Sequence, residues 1–289
     1  MKQKTVLTIA GSDSSGGAGI QADLKTMEAH GVYGMSVITA LTAQNTMGIT
    51  GVMPVDKNFV HRQLEAVCED IMPDAVKIGM LPDKEVMEAV AETIDKYKLR
   101  NIVLDPVLSS TSGTELTRSE AMKYMSEQLF CRCDLITPNI PEAEKLLTLD
   151  SDNENGNKTD SSYGQRIDSR QAMEEAVVEL SSKYGCSVLL KGGHSSFDRE
   201  GVSSDLLCIR GNEGNGEQPE YKLIWLEGSR IDNPNTHGTG CTLSSAIAAN
   251  QAGGYDLETS VRRAKEYIEK CISAGLDLGQ GRGPLCHRV

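Results

Sequence analysis

Short apolar runs rich in β-branched residues alternate along the chain with longer amphipathic segments. The runs do not alternate regularly between apolar and polar residues, which is typical of strands buried on both faces. Between them, apolar residues recur at helical spacing, as over residues 84–96 and 169–184. This alternation predicts an α/β fold, a mostly parallel sheet with helices on both faces. The predicted strands are residues 6–9, 36–40, 75–78, 101–104, 134–137 and 187–190.

Two polar segments interrupt this alternation. Residues 150–168 contain almost no apolar side chain and predict a flexible surface insertion. A second polar stretch, residues 210–219, separates two apolar runs and predicts the turn of an antiparallel hairpin. With 289 residues and a hydrophobic fraction of 39%, the chain can bury one large core, so we predict a single domain over residues 1–289.

Composition narrows the class of partner. The formal net charge of −12 disfavours nucleic acid and anionic membranes and favours small-molecule substrates. The apolar stretch at residues 5–10 is far too short for a secretory signal or a membrane span, so we expect a cytoplasmic protein. The eight cysteines are spread over a long chain, which predicts free thiols. Cys131 and Cys133 lack a second ligand pair, which argues against a zinc site.

Ligands of open parallel sheets collect beyond the carboxyl ends of the strands. After the first strand, residues 11–19 form a glycine-rich segment that matches neither the dinucleotide-binding motif nor the Walker motif. It predicts either a close approach to a ligand or only a tight turn. After the second strand, Gln44 offers an amide that could read the edge of a heteroaromatic ring, although a surface glutamine is the simpler interpretation.

Charged side chains follow three later strands. Asp105 and Glu142 could hold Mg²⁺, which prefers carboxylate and phosphate oxygens. The alternatives are a structural turn at Asp105 and a helix N-terminal charge at Glu142, directly after Pro141. Lys191 precedes two glycines at another strand end, where it could reach an ATP phosphate.

The most informative segment is residues 235–249, in which Gly238 and Gly240 lead into a helix of small residues. Unpaired amides at such a helix N-terminus can stabilise a phosphoryl group during transfer. Cys241 lies in the first turn, where the helix field is expected to lower the thiol pKa, so it is a candidate base or anion-hole contact. A buried structural cysteine is the alternative. His237 is equally consistent with local hydrogen bonding and is not assigned a catalytic role.

Together, several separated motifs resemble the hydroxymethylpyrimidine/phosphomethylpyrimidine kinases of thiamin biosynthesis. They cover residues 7–26, 38–46, 77–81, 105–107, 136–139, 191–194, 236–241 and 283–284. The resemblance implies a ribokinase-like three-layer α/β sandwich. It also implies ATP- and Mg²⁺-dependent phosphorylation of 4-amino-5-hydroxymethyl-2-methylpyrimidine and then of its monophosphate. A homodimer is the implied assembly, and a monovalent cation is a further candidate cofactor.

The resemblance also implies roles for individual residues. The substrate pocket would be formed by Gln44, the backbone of Val107, Gly11, Asp23 and Met80. The catalytic anion hole would comprise Gly238, Thr239, Gly240 and Cys241. Asn139 and Lys191 would contact the nucleotide, and Glu142 and Asp105 would bind the metal ion. Many relatives carry a lysine where this chain has Thr111, so any phosphate contact there would be made by a hydroxyl or the backbone. The 150–168 insertion has no expected counterpart in the family and should lie away from the pocket.

Other functions remain open at this point. A pyridoxal kinase on the same scaffold is the main alternative, since both substrates are small aromatic rings with a hydroxymethyl group. Gln44 argues against it, because that lineage often has a different residue there. A thiol hydrolase or transferase using Cys241 and His237 is a second alternative. A binding or sensor module that has lost turnover is a third.

Overall fold

The computed structural model describes residues 2–107, 119–149, 166–193, 195, 197–211 and 219–289. The strands are β1 Thr5–Asp13, β2 Tyr33–Asn45, β3 Gly48–Pro54, β4 Ala75–Ile78, β5 Ile102–Leu104, β6 Leu135–Ile136, β7 Ser187–Leu190, β8 Val202–Arg210 and β9 Tyr221–Ser229. The helices are α1 Gly19–Ala29, α2 Lys57–Cys68, α3 Lys84–Tyr97, α4 Ser119–Tyr124, α5 Ile140–Thr148, α6 Arg170–Tyr184, α7 Thr239–Ala252 and α8 Leu257–Ser273. A π-helical turn, Met125–Leu129, and a 3-10 turn, Phe130–Arg132, follow α4.

The chain divides into two compact units. The first comprises Met1–Asp134 and Ile231–Val289, and the second comprises Leu135–Arg230. The first unit contains β1 to β5 with α1 to α4, α7 and α8, and the second contains β6 to β9 with α5 and α6. The prediction of one domain over the whole chain stays a prediction.

The sheet of the first unit is built around β1. Its strand order is β3-β2-β1-β4-β5, and β2, β1, β4 and β5 run parallel while β3 pairs antiparallel with β2. Eight of the nine β1 residues are buried, as expected for a central strand with both faces covered. The carboxyl ends of the parallel strands therefore share one edge, where ligands of such sheets collect.

Two groups of helices pack on this sheet. In one group, α1 contacts β1 and α7, and α7 contacts β4, β5 and α8; in the other, α2 contacts β2 and α3. Helix α7 is built mainly of alanine and other small residues and is buried over almost its whole length. A helix without a polar face must be enclosed by its neighbours, which explains its central place.

The second unit has a mixed sheet with strand order β6-β7-β8-β9. Strands β6 and β7 are parallel, whereas β7, β8 and β9 pair antiparallel. Helix α6 begins after Ser169, whose hydroxyl accepts a hydrogen bond from the Ala172 amide, and ends at Gly185 with φ of 70°. Both features are common helix boundaries. The predicted β8–β9 hairpin is confirmed, while residues 212–218 of its turn lie outside the described residues.

The α/β prediction is confirmed, and the predicted bounds of β4 and β7 are correct to the residue. Strand β3 was not predicted, because glycine and exposed positions conceal its pattern. Residues 150–165 of the predicted insertion lie outside the described residues. All eight cysteines carry free thiols. Within the described part of the chain, every helix is too short or too polar to cross a bilayer.

Candidate active site

The glycine-rich loop after β1 is organised by the buried carboxylate of Asp13. One oxygen accepts hydrogen bonds from the Ser15 amide and hydroxyl, both at 2.8 Å. The other accepts from the amides of Gly17 at 3.1 Å and Ala18 at 2.8 Å. Burial alone would raise the pKa of Asp13, but hydrogen bonds from His237, Ser15 and Ala18 lower it to about 2. These three loop amides are thus occupied by Asp13, which favours the tight-turn interpretation of this loop.

Two glycines allow this loop to touch the turn before α7. Gly238 has φ of 85°, and a Cβ there would lie 2.0 Å from the carbonyl oxygen of Gly17. A Cβ at Gly17 would lie 2.5 Å from Cδ2 of His237. Real side-chain carbons do not approach that closely, so both positions require glycine for the turns to interlock.

The first turn of α7 contains the predicted catalytic residues. The first helical hydrogen bond runs from the Thr242 amide to the Gly238 carbonyl at 2.9 Å, so the amides of Gly240 and Cys241 precede the regular ladder. The Thr239 hydroxyl donates to the Thr236 carbonyl at 2.6 Å and holds the turn. This end of α7 therefore has the arrangement expected of an anion hole.

A buried ion pair lies near Cys241. Lys77 Nζ is 2.9 Å from Asp23 Oδ2, and both side chains are fully buried. Burial alone would lower the pKa of Lys77, but the negative charges of the Asp23 and Asp105 carboxylates raise it. Lys77 was not singled out individually from the sequence, although a lysine inside a strand buried on both faces is a signal that could have found it.

The carboxylate of Asp23 has donors on both oxygens. It accepts from Thr8 Oγ1 at 2.6 Å and Ser245 Oγ at 2.7 Å, in addition to Lys77. These bonds join β1, α1, β4 and α7. The predicted role of Asp23 as a pocket-lining residue stays a prediction. Its hydrogen bonds indicate that it holds together the elements that pack around the predicted pocket.

The pKa of the Cys241 thiol is shifted in the opposite direction to the one expected from the helix field. Desolvation by surrounding residues raises its pKa, and although Lys77 lowers it, Asp23 and Asp105 raise it further. The expected lowering of this pKa is therefore wrong. The helix field was considered alone in that expectation, whereas burial and two carboxylates from distant segments outweigh it.

Other predicted pocket residues lie at the same sheet edge. A Cβ at Gly11 would lie 3.2 Å from Met80 Sδ, so these two predicted lining residues are neighbours. The side chain of Gln44 lies 3.1 Å from Thr42 Oγ1 and 3.2 Å from His237 Nε2. The structure thus brings the candidate ring-reading amide beside the turn that precedes α7.

Asp105 and Val107 follow β5. Asp105 is buried and its amide donates to the Ile78 carbonyl at 2.9 Å. The amide of Val107 donates to the Asp105 carbonyl at 2.8 Å, which fixes a tight turn here. The following residues 108–118, including Thr111, lie outside the described residues.

In the second unit, Asn139 and Glu142 form a capping box at the start of α5. Asn139 Oδ1 accepts from the Glu142 amide at 2.9 Å, and Glu142 Oε2 accepts from the Asn139 amide at 2.8 Å. Lys191 pairs with Asn139 in an isolated parallel bridge. Glu142 therefore acts as a helix N-terminal charge, which was the alternative to metal binding. Its role as a magnesium ligand stays a prediction. Among the described residues, no group of three or more His, Cys, Asp or Glu side chains is placed to hold a metal ion.

The comparison with known proteins agrees with the motifs at this sheet edge. The family model for phosphomethylpyrimidine kinase matches residues 13–286. The chain belongs to the phosphomethylpyrimidine kinase family. A hydroxymethylpyrimidine/phosphomethylpyrimidine kinase of Haemophilus influenzae is 39% identical over 284 residues, which are 98% of this chain and 96% of that protein. Kinase chemistry is thereby confirmed for this family member.

Solved structures confirm the ribokinase-like α/β fold. A phosphomethylpyrimidine kinase from Clostridium difficile 630 has a TM-score of 0.73 and 39% identity, covering 93% of this chain and 100% of that chain. An ADP complex of Bacillus subtilis pyridoxal kinase has a TM-score of 0.80 and 33% identity, covering 99% and 98%. The family model and the curated relative both favour the predicted hydroxymethylpyrimidine/phosphomethylpyrimidine kinase, and the pyridoxal kinase is a structural neighbour at lower sequence identity.

The contact between Gly238 and Gly17 predicts the effect of Gly238→Ala. The added Cβ must displace the turn before α7, and a shift of about 1 Å at a catalytic group can lower the rate by roughly 10²-fold. We expect kcat/KM to fall by about that factor in a steady-state assay of ATP-dependent phosphorylation.

Gly254→Ala is the matched control, because Gly254 has φ of 94° but no heavy atom within 4 Å of an added Cβ. It should cost about 1–2 kcal/mol of unfolding free energy, measured with urea, and leave kcat/KM unchanged. Equal kinetic losses in the two variants would contradict the proposed importance of the Gly17–Gly238 contact.

Proposed function

We propose that this protein transfers phosphate from ATP to 4-amino-5-hydroxymethyl-2-methylpyrimidine and then to its monophosphate, in thiamin biosynthesis. The observation that carries the proposal is the place of Gln44. Its carboxamide lies 3.2 Å from His237, in the turn whose next residues open α7. A group able to read a heteroaromatic edge is thus close to a helix N-terminus able to stabilise a transferring phosphoryl group.

The pocket residues receive complementary roles in this proposal. Gln44 and the backbone of Val107 would hold the ring, while Gly11 and Met80 pack beside it. The hydroxymethyl oxygen would face the amides of Gly240 and Cys241. Phosphoryl transfer requires positioning and charge stabilisation more than covalent chemistry from the protein, and this arrangement can supply both.

Cys241 serves in this proposal as an anion-hole contact. Because desolvation raises the pKa of its thiol, the sulfur is mainly protonated near neutral pH and is a weak base. A protonated thiol can instead donate to a developing negative charge. The ammonium of Lys77 lies near the same region, where the paired carboxylate of Asp23 offsets its charge.

ATP and Mg²⁺ are the proposed cofactors. Asn139 and Lys191 would serve the nucleotide, and Glu142 and Asp105 would supply carboxylate oxygens, the ligands that Mg²⁺ prefers. These donors fit the ion chemically, although Oε2 of Glu142 also takes part in the capping box. A bound Mg²⁺ would neutralise charge on the phosphates. A monovalent cation remains a further candidate.

Pyridoxal is the second candidate substrate, favoured by the similarity to Bacillus subtilis pyridoxal kinase. The family match over residues 13–286 favours the pyrimidine.

Purified protein with ATP and Mg²⁺ should convert the hydroxymethylpyrimidine to the monophosphate and then the diphosphate. Its kcat/KM for the pyrimidine should exceed that for pyridoxal by at least about tenfold, and Cys241→Ala should lower kcat more than it weakens pyrimidine binding.

Three results would contradict the proposal. A higher kcat/KM for pyridoxal would make the protein a pyridoxal kinase. Pyrimidine binding without ADP formation would indicate a sensor. A covalent adduct on Cys241 formed without ATP would instead support thiol chemistry.

We also propose a cytoplasmic homodimer. Strand β3 forms an edge of the first unit's sheet, and Met47 and Met53 near this edge are 66% and 65% exposed. Leu41, the cross-strand partner of Met53, is exposed as well. Burying these side chains against a second copy would remove apolar surface from water. Sedimentation equilibrium at micromolar concentration should give twice the mass of one chain, and a single-chain mass would contradict the dimer.

A further inference from the structure

Four polar side chains and one carbonyl form a continuous hydrogen-bonded chain around His237. His237 Nε2 lies 2.8 Å from Asp13 Oδ2 and 3.2 Å from the carboxamide of Gln44. The other end of that carboxamide lies 3.1 Å from Thr42 Oγ1. Thr42 Oγ1 in turn lies 2.9 Å from the carbonyl oxygen of Ser12. The amide orientation of Gln44 follows from which of these atoms carry protons.

The Asp13 end fixes the proton on His237. Hydrogen bonds lower the pKa of Asp13 to about 2, against the effect of burial, so the side chain is a carboxylate near neutral pH and only accepts. At 2.8 Å, His237 Nε2 must donate to it. A protonated Nε2 cannot accept a hydrogen bond from the nitrogen of Gln44, because two donors would then face each other. Gln44 must therefore present its oxygen to His237.

The Thr42 end is compatible with the same orientation. A hydroxyl has one proton to donate, and the Ser12 carbonyl at 2.9 Å is an acceptor for it. If the oxygen of Gln44 faced Thr42, that one proton would have to serve two acceptors. With the nitrogen of Gln44 facing Thr42, the amide donates to Oγ1 and the hydroxyl donates to Ser12. In this arrangement no two donors face each other, and the one shared proton is that of His237 Nε2, which lies between Asp13 and Gln44.

We propose that His237 is a positioning residue that fixes the carboxamide orientation of Gln44 and thereby favours an aminopyrimidine edge over other rings. This inference rests on the proposed function. An aminopyrimidine places an amino donor next to a ring-nitrogen acceptor, and a carboxamide complements that pair in one orientation only. In the reversed orientation both contacts are repulsive. A pyridine ring with a phenolic oxygen lacks this pair, so its binding depends much less on the amide orientation.

The imidazole of His237 is itself held by several segments. The ring packs closely against the backbone of Gly17, where an added Cβ would lie 2.5 Å from Cδ2. The His237 amide donates to the Gly283 carbonyl at 3.2 Å, and His237 forms a bridge with Pro284. The C-terminal segment and the β1 loop thus fix the ring that orients Gln44.

Removing the imidazole does not leave Asp13 unpaired. The carboxylate keeps its bonds from the amides of Ser15, Gly17 and Ala18 and from the Ser15 hydroxyl. His237→Leu therefore tests the link to Gln44 more than the integrity of the loop. His237→Gln is the conservative partner, because its side-chain nitrogen can still donate to both neighbours.

The test is steady-state kinetics of both variants with hydroxymethylpyrimidine and with pyridoxal. Without the imidazole only the weaker preference at Thr42 orients the amide of Gln44. A reversed amide opposes the pyrimidine edge, so His237→Leu should raise KM for the pyrimidine by about 10- to 100-fold. Its kcat should change by less than about threefold, because the α7 turn still holds the phosphoryl group. KM for pyridoxal should change by less than about threefold, and His237→Gln should recover most of the pyrimidine affinity.

A purely structural role for His237 gives a different pattern, in which kcat falls and the kinetics of both substrates deteriorate together. That pattern, or an unchanged pyrimidine KM in His237→Leu, overturns the inference while wild-type activity upholds the proposed function. Wild-type protein that does not phosphorylate the pyrimidine overturns both.

A second pair of variants changes Thr42, at the other end of the Gln44 amide. These variants test the inference even if His237→Leu fails to fold. Thr42→Val removes the hydroxyl, and Thr42→Ser keeps it. A raised pyrimidine KM in Thr42→Val that recovers in Thr42→Ser, with pyridoxal little affected, supports the inference. Equal pyrimidine KM values in the two Thr42 variants overturn it.

Discussion

The buried carboxylate of Asp13 is the group on which the geometry of the first unit's sheet edge depends. A desolvated charge is costly unless it is hydrogen-bonded, and Asp13 accepts bonds from three amides, a hydroxyl and the imidazole of His237. The last of these donors comes 224 residues later in the chain. One carboxylate thus fixes the β1 loop and holds the imidazole of His237, which extends the constraint to Gln44. The close backbone contact between Gly17 and Gly238 fixes the turn that opens α7 against the same loop.

A second buried charged group, the Lys77–Asp23 ion pair, supports the same region. The Lys77–Asp23 pair is fully buried, and removing one partner of such a pair is typically destabilising by about 3–5 kcal/mol. Its hydrogen bonds also join β1 to α7 through Thr8 and Ser245. The pair therefore provides mechanical support, and the carboxylate of Asp23 offsets the charge of the Lys77 ammonium near Cys241. An anion hole whose donors are fixed in advance need not reorganise during reaction, which is the main source of its catalytic effect.

Local patterns predicted much of this fold because they reflect local physics. Short runs rich in apolar residues located β4 and β7, and Ser169 marked the start of α6. Strand β3 was missed because its side chains are mostly exposed and do not alternate in polarity. For Glu142 the sequence left open a metal-binding role and a role at the start of a helix. The structure shows the second of these, because the Asn139–Glu142 capping box is made by hydrogen bonds to backbone amides.

Long-range contacts explain what could not be predicted at the site. The pKa of Cys241 depends on Lys77, Asp23 and Asp105, which come from three distant segments. The partners of His237 likewise lie on the β1 loop and at the end of β2, so its turn alone favoured no particular role. Motif order was enough to indicate the family, whereas the proton positions that orient Gln44 required the distances between these segments.

The most direct test is a crystal structure of the protein with hydroxymethylpyrimidine and a non-hydrolysable ATP analogue. We expect the amino and ring-nitrogen edge of the pyrimidine against Gln44, with the amide oxygen of Gln44 towards His237. The hydroxymethyl oxygen should face the amides of Gly240 and Cys241. A pyrimidine bound with this edge away from Gln44, or with its hydroxymethyl group remote from the start of α7, would contradict the proposed site.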